Sequence, residues 1–228
     1  MDWNSIIPAA VFSITLTACT EQSAEGQHGN TNMAQTRDVE LAGQLYQIPR
    51  ENLGEDDGLL SIFVEALSEP KKDNAVLLYF DANLFAERFD VDFGKSKSFV
   101  VRVGYEVSER RSERRKRAKD VLFGSGEFQN RVVEEGPDDG LFRIYRHDES
   151  KGSWMLTRGS PDELSPDAVT EHALLGACTT GRRQMCSFVH MSEDFYVSHR
   201  MPERYAGKNS EISQYVIDQL KSWRVEGE

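Results

Sequence analysis

Cysteine is scarce in this chain: there are three, at positions 19, 178 and 186, among 228 residues. A zinc site built on two of them would need two more ligands, and the nearest histidines, His172 and His190, lie at no recognisable ligand spacing. Basic residues are outnumbered, with 27 Lys and Arg against 38 Asp and Glu and a formal charge of −11. A chain this acidic is a poor duplex nucleic-acid binder, because phosphate neutralisation needs a basic face. No stretch is apolar for long enough to span a bilayer. Catalytic signatures are missing as well. Phe123-Gly124-Ser125-Gly126 falls short of a nucleophile elbow, no glycine-lysine phosphate loop occurs, and there is no HExxH. Five scattered histidines define no triad, and paired carboxylates for glycosidic chemistry are not readable from spacing in sequence. No metal and no cofactor is implied.

What is present begins at the N-terminus. Residues 5–18 form an apolar stretch too short for a stable span but of the right length for the core of a secretory signal. It ends in Leu16-Thr17-Ala18-Cys19, which resembles the lipobox of bacterial lipoproteins. That resemblance implies cleavage before Cys19, a diacylglycerol on its thiol, and a mature protein anchored in the cell envelope. Thr20, where an Asp would mark inner-membrane retention, implies the outer membrane, facing the periplasm. One departure is the charge of the first residues, Met1-Asp2-Trp3-Asn4, which carry no Lys or Arg. Either the signal is atypical or the true start lies upstream. From Thr20 to about Arg37 the chain is rich in Gln, Asn, Ser and Gly and cannot bury enough to order itself. As a flexible tether of about 18 residues it would hold the domain about 20–25 Å from the lipid. The expected organisation is a leader over 1–18, a lipidated cysteine and tether over 19–38, and one domain over 39–228.

Within the domain, Leu45–Ile48 alternates and stops at Pro49, as an edge strand does. Leu59–Val64 and Ala75–Phe80 read as core strands, Asn83–Phe89 as a helical turn, and Ser98–Val107 as the clearest strand of the first half. Further strands are expected at Phe128–Val133, Leu141–Arg146, Trp154–Thr157, Leu174–Cys178, Met185–Met191 and Phe195–Arg200. Short glycine-containing or acidic turns separate most of them, which favours antiparallel neighbours. Ser210 is placed to cap a final helix whose Ile212, Val216, Leu220 and Trp223 fall on one stripe beside Tyr215. The expected fold is therefore α+β: a twisted antiparallel sheet with a C-terminal amphipathic helix on one face.

Two local features stand out. Cys178 and Cys186 bracket a turn between strand-like runs, and an even pair in an exported chain reads as a disulfide, with two reduced thiols as the alternative. Closing so short a loop stabilises by roughly 2–3 kcal/mol on the chain-entropy model. The second feature is the run over 109–119, ERRSERRKRAK, where Arg110, Arg111, Arg114, Arg115, Lys116, Arg117 and Lys119 face two Glu. Its default reading is a solvated helix or loop. Contact with anionic lipid headgroups or with an acidic protein are the functional readings. As an exposed run it adds little to a core, so reversing Arg114, Arg115 and Arg117 to Glu is expected to leave the fold intact.

The lipobox, polar tether, cysteine hairpin and final helix are together similar in general plan to periplasm-facing immunity lipoproteins that neutralise type VI secretion toxins. The likeness implies a protein that binds another protein and is not an enzyme. A structural envelope component and a hydrolase with an unrecognised site remain open beside it. Because Cys19 alone carries the anchor in this reading, Cys19→Ala should move the protein from the membrane to the soluble fraction or leave it unprocessed. Mass spectrometry of the mature N-terminus checks it, and an unmodified Cys19 on an intact precursor would refute it.

Overall fold

The computed structural model describes residues 36–53, 75–105, 108–181 and 183–226. The leader, Cys19, most of the tether and the expected strand Leu59–Val64 lie outside the described residues. Ten strands are described. β1 (Thr36–Leu41) and β2 (Gln44–Pro49) form a hairpin closed by Ala42 and Gly43, both at positive φ (48° and 76°), the geometry that matches strand twist in a two-residue turn. Backbone pairing with β2 draws Thr36 and Arg37, read as tether, into β1. The C-terminal segment joins this hairpin on its other side, with the Gln47 N–H donating to the Trp223 carbonyl at 2.7 Å.

The remaining strands are β3 (Ala75–Asp81), β4 (Ser98–Tyr105), β5 (Val132–Glu135), β6 (Leu141–Tyr145), β7 (Ser153–Arg158), β8 (Leu174–Thr179), β9 (Met185–Met191) and β10 (Phe195–Pro202). They make one antiparallel sheet in the order β3-β4-β10-β9-β8-β7-β6-β5. The α+β expectation holds. Phe128, expected to open a strand, sits instead in a 3-10 turn (Gly126–Phe128) ahead of β5.

Among the described residues three helices flank the sheet: α1 (Ala82–Phe89), α2 (Ser108–Phe123) and α3 (Asn209–Ser222). Asp81 caps α1 by accepting from the N–H groups of Asn83 and Leu84 at 2.8 and 3.1 Å. Ser210 does not cap α3. The helix grows out of a 3-10 turn, the Asn209 N–H donating to the Ala206 carbonyl, so its start needs no side-chain acceptor.

Strand alternation divides the apolar residues between two faces. Trp154 and Leu156 of β7 join one core cluster with Val101, Phe188, Val197 and the α3 residues Ile212, Val216 and Leu220. Met155, between them, packs against a second cluster containing Ala118, Val121 and Leu122 of α2 with Ile144 and Leu174. Thus α1 and α3 cover one face and α2 covers the other. On the first face, Tyr215 of α3 meets Phe80, Phe85 and Phe89 with ring centroids at 5.4–6.3 Å.

His199 of β10 is inside the first-face core, 3% exposed, between Phe99 and Phe188, and neither ring nitrogen has a hydrogen-bond partner among the described residues. Burial, with a smaller contribution from the charge of His190, pushes its pKa down from 6.5 to about 3. The folded chain therefore keeps His199 neutral where the unfolded chain takes up a proton. Stability must fall as pH drops below 6.5, by up to about 1.4 kcal/mol per unit, until about pH 3. His199→Phe should remove that slope: between pH 7.5 and 5 the wild type should lose about 2 kcal/mol more than the variant in urea unfolding. Parallel pH profiles would contradict this assignment.

Candidate binding face

α2 connects β4, near one edge of the sheet, to β5 at the opposite edge, so its path crosses the second face. The stripe it turns to that face changes character along its length. In the C-terminal half it is Ala118, Val121 and Leu122, all fully buried. Over the turns before them the same stripe continues as Arg110, Arg114 and Arg117, spaced by four and three. The run is thus an amphipathic helix whose inward stripe is part apolar and part guanidinium.

Those guanidinium groups are held by the protein. The β8–β9 ladder ends at Gly176 with Phe188, and Arg114 Nη2 donates to two further carbonyls, Leu174 at 2.6 Å and Val189 at 3.1 Å. Arg111 donates to the Ser192 carbonyl and, at 2.8 Å, to that of Glu193. Arg111 and Arg115 both reach Glu171, at 3.4 and 3.2 Å. Its own backbone N–H first, then Arg115, keeps the Glu171 carboxylate below the ordinary carboxylate pKa. Arg117 pairs with Glu127 and lies over the Phe128 ring at 5.1 Å. Lys116 is exposed and Lys119 half-buried. The expectation that Arg114, Arg115 and Arg117 could be reversed with the fold intact is corrected on this point. Arg114 bonds strand carbonyls that a carboxylate would repel.

Between the arginine stripe and the sheet lies a groove of about 410 Å³. Arg102, Arg110, Arg114 and Arg117 line it with one acid, Glu113, over a floor of Tyr196, Val189 and Met191. Arg110 sits over the Tyr196 ring at 5.0 Å. That ring lies flat across Gly104, its register partner, where an added Cβ would come within 2.5 Å of it. Glycine here is what admits the aromatic floor. Tyr196 comes from a strand far from the basic run in sequence and Arg102 from the strand just before it, and nothing in their spacing announced them.

The predicted cysteines are on the other face. Cys178 and Cys186 are register partners on β8 and β9 and form the disulfide. Beside it is a group the sequence did not reveal. Glu203, 1% exposed, accepts from Arg143 Nε and Nη2 at 2.8 and 2.7 Å and from Trp154 Nε1 at 2.7 Å. Its carboxylate and the two sulfurs lie within 4.8 Å of one another, but sulfurs bonded to each other are not thiolate donors. This cluster is a structural clamp.

The inward and outward sides of the basic helix should respond differently to charge reversal. Arg114→Glu loses two charge-assisted bonds and should cost about 3 kcal/mol or more, whereas Lys116→Glu should stay within about 0.5 kcal/mol. Urea denaturation measures both, and equal, small effects would show that the Arg114 anchor is inert.

No family model and no curated protein matches the chain. Among solved structures, it is similar to Smlt3025, an immunity protein of the Stenotrophomonas maltophilia type IV secretion system. The identity is 13% and the TM-score 0.46, over 84% of this chain and 94% of that one. An overlap so loose transfers no residue role from one chain to the other.

Proposed function

We propose that this protein is a lipid-anchored envelope protein that binds another protein on its α2 face, and that it serves to neutralise a toxin. The observation that carries the reading is the groove beside α2, where arginine and tyrosine line a concave surface. These side chains dominate the energetics of protein interfaces, since each combines a large apolar area with a polar tip. With four arginines against one glutamate, the groove favours an acidic surface on the partner, and attraction of that kind speeds encounter at low salt.

The lipid-headgroup reading of the basic run loses ground for a physical reason. Arg110, Arg114 and Arg117 line a groove between the helix and the sheet, so their charge is presented to a segment that enters the groove and not to a flat membrane surface. The anchor in this proposal is Cys19, and the protein stands in the envelope facing the periplasm.

The test is competition between sibling cells. A strain lacking the gene should be outgrown by its parent only where the parent secretes toxin, and a plasmid copy should restore growth. A copy carrying Arg110→Glu should fail to restore it while accumulating to the normal level. Full protection by that variant would remove the groove from the function. Turnover of an envelope substrate by the purified chain, abolished by one side-chain change, would replace the whole reading with an enzyme.

A further inference from the structure

The groove beside α2 does not end at Tyr196. Arg102 and Ser198, which line it, also line a second hollow of about 360 Å³. This hollow lies toward the start of β4 and the end of β10. Its character differs from that of the groove. Leu77, Phe93, Val100 and Pro202 give it apolar walls, and Val100 leaves 40% of its surface exposed. Arg183 and Arg200 join Arg102 in lining it, and among the described residues no acidic one does.

We infer that the two hollows form one trough for a single segment of the partner chain: carboxylates lie along the α2 groove, and a neighbouring phenylalanine- or leucine-like side chain seats in the hollow at Val100. This deepens the binding function proposed above and rests on it. Continuity supports one occupant, because two residues are shared between the hollows. Charge sets its chemistry: the trough is lined by six arginines and one glutamate on a chain whose formal charge is −11. Neither an all-acidic nor an all-apolar segment satisfies both parts. An acidic segment would leave the walls at Val100 and Leu77 in contact with water, and an apolar one would bring no negative charge to a lining in which arginines outnumber carboxylates. An apolar anchor beside paired charges is also how binding energy concentrates in protein interfaces.

The experiment uses the full chain and three fluorescent peptides read by anisotropy: Glu-Asp-Glu-Phe-Glu-Asp, the same peptide with serine for phenylalanine, and a version with lysine at every acidic position. The phenylalanine peptide should bind about tenfold more tightly than the serine peptide. Val100→Asp should bring that ratio close to one, and because its added charge acts on both peptides alike, the ratio isolates the hollow. Val100→Thr, which keeps the shape of the side chain, should lower the ratio to about threefold and guards against a folding artefact. A ratio near one in the wild type, with both acidic peptides still preferred over the lysine peptide, would overturn the trough and leave the acidic-partner reading standing. Acidic peptides that bind no better than the lysine peptide would overturn both. Vesicles of anionic phospholipid that displace the phenylalanine peptide as well as unlabelled peptide does would overturn the trough in favour of a headgroup.

Discussion

Pairing between β10 and β4 is the contact on which the described structure depends. β3 and β4 form one antiparallel pair, and β5 to β9 form a continuous meander. The two are joined into one sheet because β10 pairs with β9 on one side and, from Phe195 with Tyr105 to His199 with Val101, with β4 on the other. The same strand supplies the floor of the groove through Tyr196 and the buried imidazole of His199 through its opposite face. Just past its end stands Glu203. A single strand therefore positions elements on both faces, which the two-residue alternation of a strand makes unavoidable.

Joining the halves creates a second face that needs a cover, and α2 is the only described helix that crosses it. A wholly apolar stripe would have sealed that face. The chain instead uses arginine over the N-terminal half, where the β8–β9 ladder stops and carbonyls are left to be satisfied. Arginine suits this because its planar fork supplies several donors at fixed angles while its methylene stem packs on apolar neighbours. The consequence is a face held together by guanidinium groups, with a hollow between them and the sheet.

The first face is closed differently. Trp154, Cys178, Cys186 and Met201 are successive register partners across β7, β8, β9 and β10, with the disulfide in the middle of the row. Glu203 adds Arg143 of β6 to that row through hydrogen bonds at both guanidinium nitrogens that reach it. A carboxylate this deeply buried is tolerable only because three donors meet it, and the same requirement fixes where the end of β10 must lie. Covalent and charge-assisted cross-links thus occupy the face away from the groove.

The sequence by itself determined the elements that depend on local pattern. Alternation marked β2, strand-like runs bounded by turns marked β3, β4 and β6 to β10, the four-four-three spacing of Ile212, Val216, Leu220 and Trp223 marked α3, and an isolated cysteine pair marked the disulfide. Each is a signal contained within a few turns or strand repeats. The basic run was legible as a feature, but which of its arginines turn inward was not, because charge periodicity looks the same whether guanidinium groups face water or carbonyls. The start of α3 was misplaced at Ser210 because the 3-10 turn before it carries no distinctive residue. Only the tertiary structure decided that Arg102 and Tyr196 stand opposite Arg110, that Val100 and Leu77 open a hollow next to them, and that Glu203 meets Arg143 and Trp154. These residues are 49 to 94 positions apart in several of those pairs. Strand order brings them together, and strand order is set by which backbone edges pair, a choice that side-chain pattern along one strand does not encode.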